Sequence, residues 1–115
     1  MAVPLYQAKA EFFRTLGHPA RIRVLELLQD GPMPVRDLLA AIDIEASSLS
    51  QQLAVLRRTN LVTATRGGNT VVYALSTPDV AELLLTARRI LGEMIADQGQ
   101  LLEELRVPSA KEVTA

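Results

Sequence analysis

At 115 residues the chain has room for one domain and one hydrophobic core; with 49% hydrophobic residues but only 3% aromatics, Leu, Ile, Val and Ala must build it. That composition favours a mostly helical fold, and the absence of cysteine excludes disulfides, thiolate metal sites and cysteine nucleophiles. The net charge of −1 hides an asymmetry: residues 1–75 hold eight Lys/Arg against six Asp/Glu, whereas residues 76–115 hold four against seven, so the basic N-terminal part is where an anionic partner would bind.

From Pro4 to Leu16 the apolar residues Leu5, Ala8, Phe12, Phe13 and Leu16 recur at helical spacing, and Gly17 supplies a stop. His18 precedes Pro19, a residue suited to the first helical position, and Ile22, Leu25 and Leu28 mark the apolar face of a second helix that ends before Asp30-Gly31-Pro32. Pro34 opens a short third helix with Val35, Leu38, Leu39 and Ile42 on one face. A fourth follows closely, with Ser47 or Ser48 as its expected cap and Leu49, Leu53 and Leu56 on its buried side.

After Thr59-Asn60 the period becomes extended. Residues 61–66 and 70–75 are rich in β-branched side chains, and Gly67-Gly68-Asn69 between them predicts a β-hairpin. Ser76-Thr77-Pro78-Asp79 then caps a long last helix carrying Val80, Leu83, Leu84, Ala87, Leu91, Met94 and Ile95, with Leu101, Leu102 and Leu105 continuing the pattern. The expected fold is therefore mainly α with a β-hairpin wing, in the order α-α-α-α-β-β-α: one domain over residues 1–105, with a disordered tail over 106–115. No run is apolar enough to span a membrane and no secretory signal opens the chain, so a cytoplasmic location is expected.

The third and fourth helices have the layout of a DNA-reading helix–turn–helix. Ser47, Ser48, Ser50, Gln51 and Gln52 put short uncharged donors and acceptors near the start of the fourth helix, where they suit base edges; a glutamine amide matches the paired sites of adenine. Arg57 and Arg58, further along, suit backbone phosphates. Arg66, Gly67, Gly68, Asn69 and Thr70 form a hairpin tip able to enter a minor groove or touch phosphate. A protein-interaction module acting on transcription through a partner would instead need an acidic or apolar face here, and the stretch 47–52 is neither. An enzyme would need convergent catalytic groups, which one histidine, no cysteine and no phosphate-binding glycine loop do not supply.

The stretches Leu16-Gly17-His18-Pro19-Ala20-Arg21-Ile22-Arg23-Val24-Leu25, Ser48-Leu49-Ser50-Gln51-Gln52-Leu53-Ala54-Val55-Leu56-Arg57-Arg58 and Leu61-Val62, with the wing closing on Tyr73-Ala74-Leu75, resemble the ArsR/SmtB family of bacterial regulators over roughly residues 5–95. The resemblance implies a homodimer built through the first and last helices, double-stranded palindromic operator DNA as partner, base reading by Ser47, Ser48, Ser50 and Gln51, and a wing at Arg66 to Thr70. It also implies metal or stress sensing, and a further likeness to a nickel-linked regulator makes nickel the first metal to test. The family's ligands are missing, however: Val35-Arg36-Asp37 occupy the place of its cysteine site, and Asp79 remains on the last helix without any later histidine. His18 is then the one weak metal candidate, Glu82, Glu93, Asp97, Glu103 and Glu104 read as a solvated acidic face, and metal binding would need a second regulatory protein or those carboxylates.

Overall fold

The computed structural model describes residues 2–95 together with 104 and 105. In chain order these form α1 (Leu5–Leu16), α2 (Pro19–Leu27) with a 3₁₀ turn (Leu28–Asp30), β1 (Met33–Pro34), α3 (Val35–Ala41), α4 (Ala46–Arg58), β2 (Val62–Gly67), β3 (Thr70–Leu75) and α5 (Pro78–Met94). The four helices, hairpin and last helix follow the expected order, with β1 added. Two compact units divide the chain between Ser76 and Thr77.

In the first unit the helix ends are set by local chemistry. Gly17 closes α1 by donating its N–H to the Arg14 carbonyl at 3.1 Å. His18 adopts extended backbone as the N-cap of α2, its Nδ1 accepting from the Ala20 N–H at 3.2 Å, and Pro19 takes the first helical position, where its missing N–H costs nothing. α4 corrects the sequence expectation. Its N-cap is Glu45, and neither Ser47 nor Ser48 caps it, because the chain is already extended at Glu45 and the Leu49 N–H closes the first turn on the Glu45 carbonyl at 3.0 Å. The serines therefore lie within the first helical turn.

α4 packs on α2 and β2. Leu49, Leu53 and Leu56 from α4, Val24 and Leu25 from α2, and Leu28, Leu38, Leu61 and Val62 are all buried, so aliphatic side chains do build the core. The sheet is antiparallel in the order β1-β3-β2. β2 and β3 pair from Val62 opposite Leu75 to Gly67 opposite Thr70, and β1 adds Met33 opposite Tyr73 and Pro34 opposite Val72. Pro34 is tolerated there because β1 is an edge strand. At the hairpin turn Gly68 has φ +63 and Asn69 does not share the positive sign, the pattern of a type II′ turn with glycine at its first central position.

In the second unit Thr77 caps α5, its Oγ1 accepting from the Asp79 N–H at 3.3 Å with Pro78 at the first helical position. Val80 and Ala81 are buried near the start of the helix, whereas Ile90, Leu91 and Met94 near its end are exposed. Arg88 donates to the carbonyls of Glu104 and Leu105 at 3.3 and 2.6 Å. The expected continuation through Leu101 and Leu102 and the tail 106–115 lie outside the described residues. Among the described residues no helix is long and apolar enough to cross a membrane.

Candidate nucleic-acid interface

The site is built on α4. With three leucines holding one side in the core, the helical period of about 100° per residue places Ser47, Ser50, Gln51, Ala54, Arg57 and Arg58 on a single outward stripe, and all six are exposed. The stripe is polar and uncharged over its first turns and cationic at its end. Arg57 and Arg58 also occupy the last turn, where positive charge complements the helix dipole, and among the described residues neither makes an ion pair. Both guanidinium groups are thus available to an external anion.

Ser48 and Gln52 stand apart from this stripe. Both are half-buried, and the Gln52 Oε1 accepts a hydrogen bond from Arg21 Nε at 2.8 Å. The structure thus separates the five predicted base-reading residues into three on the open stripe and two on its flank.

The passage from α4 to the wing is fixed by backbone geometry. Asn60 takes a left-handed conformation, φ 62, just past the helix, and its N–H donates to the Arg57 carbonyl at 3.1 Å while the Leu61 N–H reaches back to Leu56 at 2.9 Å. This pair of bonds is the Schellman closure. Ser76 ties the far end of the hairpin to the same place, donating its hydroxyl to the Asn60 carbonyl at 2.6 Å and its N–H to the Leu61 carbonyl at 3.1 Å. The helix and the base of the wing are consequently held as one piece.

Between them lies a groove of about 760 Å³ lined by Val35, Ser50, Leu53, Ala54, Arg57, Arg58, Asn60, Val71 and Tyr73. It brings Ser50, Arg57 and Arg58 together with two residues that sequence reasoning missed. Asn60 had a signal, its place after the last helical residue, where asparagine tolerates positive φ. Tyr73 had none, because its place in the groove follows from strand register. At the wing tip Arg66, Gly67, Gly68 and Asn69 are exposed and Thr70 is half-buried; Arg66 makes no ion pair among the described residues.

His18, the metal candidate, commits its Nδ1 to the cap of α2. Among the described residues no group of three or more His, Cys, Asp and Glu side chains is placed to hold a metal ion. The described residues do not fit a nickel or other divalent-cation centre, and Asp97 and Glu103 lie outside them.

A fold of this order, with an exposed polar and cationic helix beside a β-wing, defines a winged helix–turn–helix protein. Residues 18–64 match the model of the "Bacterial regulatory protein, arsR family", and the chain belongs to that family. It is 52% identical over 104 residues to the uncharacterized HTH-type transcriptional regulator Rv0081 of Mycobacterium tuberculosis (strain ATCC 25618 / H37Rv), covering 90% of this chain and 91% of that protein. The crystal structure of Rv0081 superposes with a TM-score of 0.77 at 51% identity, over 84% of this chain and 98% of that one. The HTH-type transcriptional regulator NmtR of the same organism is 44% identical over 75 residues, 65% of this chain and 62% of NmtR. The chain is accordingly a transcriptional regulator with a DNA-binding fold, and not an enzyme.

Proposed function

We propose that the protein is a cytoplasmic, homodimeric regulator that reads a palindromic operator by laying α4 in the major groove. Ser47, Ser50 and Gln51 face base edges with Ser48 and Gln52 on their flank, Arg57 and Arg58 hold phosphates, and Arg66 to Thr70 meet the adjacent minor groove or backbone. The observation that carries this reading is the α4 stripe: uncharged hydrogen-bonding groups followed by two arginines without an ion pair among the described residues, all exposed on one side of a helix whose other side is core. Homodimerisation is supported by exposed apolar side chains on α1 (Leu5, Tyr6, Phe13) and on α5 (Ile90, Leu91, Met94).

Genome-wide footprinting of the purified protein tests the proposal. It should protect inverted repeats whose half-sites lie about one helical turn, roughly 34 Å, apart. Protection without sequence preference would overturn it. Repeating the footprint with nickel, zinc and a chelator asks whether a metal controls occupancy; with no ligand cluster among the described residues, we expect the same footprint in all three.

A further inference from the structure

Arg21 lies outside the DNA-reading stripe, yet its side chain bridges two helices of the first unit. Its Nε donates to Gln52 Oε1 at 2.8 Å and its Nη1 donates to the Thr15 carbonyl at 3.0 Å, in the last turn of α1. The guanidinium is half-buried and has no carboxylate partner among the described residues. A cation in that setting is retained by the negative end of the α1 dipole and by charge-assisted hydrogen bonds.

Resting on the DNA-reading function proposed above, we infer that Arg21 is a positioning residue for the recognition helix. Arginine can only donate, so the bond it makes to Gln52 turns the amide oxygen toward Arg21, occupies one of that oxygen's two lone pairs and directs the NH₂ away from it. Gln52 is therefore held in one orientation, with its NH₂ presented as a donor to a base acceptor. Gln51, exposed and one residue earlier, keeps both its donor and its acceptor. Arg21 thus fixes the orientation of one of two adjacent glutamines and ties the rotational setting of α4 to the end of α1.

The test is a double-mutant cycle of R21A and Q52A, read as the ratio of operator to random-DNA affinity alongside Tm. Each single variant should lower the ratio about tenfold, the scale of one lost charge-assisted hydrogen bond, with random-DNA affinity little changed. The double variant should be no worse than the worse single one, since both remove the same bond. An unchanged ratio in the folded variants, or losses that multiply in the double variant, would overturn the inference, as would a Tm loss with equal losses on both DNAs. If R21A does not fold, R21K replaces it in the cycle with the same criteria, because one ammonium cannot reproduce the fork that reaches both Thr15 and Gln52. Wild-type protein that prefers no operator would instead defeat the DNA-reading proposal itself, so the two failures are distinguishable.

Discussion

Under the proposed function the side chains of α4 divide into those that carry sequence information and those that carry charge, and the division is measurable. Gln51→Ala should lower operator affinity about 10- to 100-fold, the range of one lost bidentate base contact, with random DNA bound as before. Competition binding against both DNAs checks this, and equal losses on both would remove Gln51 from base reading. Arg57→Ala should weaken binding to every sequence, and the slope of log K against log salt should become shallower by about one. An unchanged slope in a salt titration would take Arg57 off the list of phosphate contacts. His18 belongs to a different category, since its Nδ1 closes the start of α2. The exposed polar and cationic side of α4 was legible in residues 47–52, 57 and 58 because chemistry and helical period are both local. The diversion of Gln52 toward Arg21, 31 residues away, was not.

At the level of elements, the apolar period that predicted α1, α2 and α4 and the β-branched runs that predicted the hairpin report on burial, which is why those segments stand where the sequence placed them. β1 escaped notice because two residues, one of them Pro34, have no period; the strand exists only through its pairing with Tyr73 and Val72. The start of α4 was misplaced for the opposite reason: Ser47 and Ser48 are good caps by type, but the backbone turns at Glu45. The Schellman closure at Asn60 is the joint on which the wing depends. Asn60→Val would force a β-branched residue to φ 62 and should cost roughly 1–3 kcal/mol, whereas Asn60→Gly should be tolerated. Urea denaturation checks both: the midpoint should fall for valine with its m-value unchanged, and equal midpoints for the two variants would mean that the left-handed geometry carries no energetic weight.

For the whole molecule, the question is what keeps α1 folded. It is 12 residues long, a length marginal for an isolated helix, and Leu16 is its only buried residue, while Leu5, Tyr6 and Phe13 are 70%, 77% and 56% exposed. Phe12 and Phe13 meet edge-on with centroids 5.4 Å apart, a contact that still leaves both rings open to solvent. A second copy of the chain would cover this face in an isologous contact, and the resulting two-fold axis is what a palindromic operator requires of its reader. Phe13→Glu puts a charge into that face without touching the buried leucines of α2 and α4. Sedimentation equilibrium should then find the wild type dimeric at micromolar concentration and the variant largely monomeric. The Tm of the wild type should rise with protein concentration, as mass action demands when assembly and folding are coupled, and that of the variant should not. Operator binding by the variant should become weak and lose its steepness, because a single α4 engages one half-site. A variant that remained dimeric and bound operator normally would show that α1 is covered by something other than its own copy.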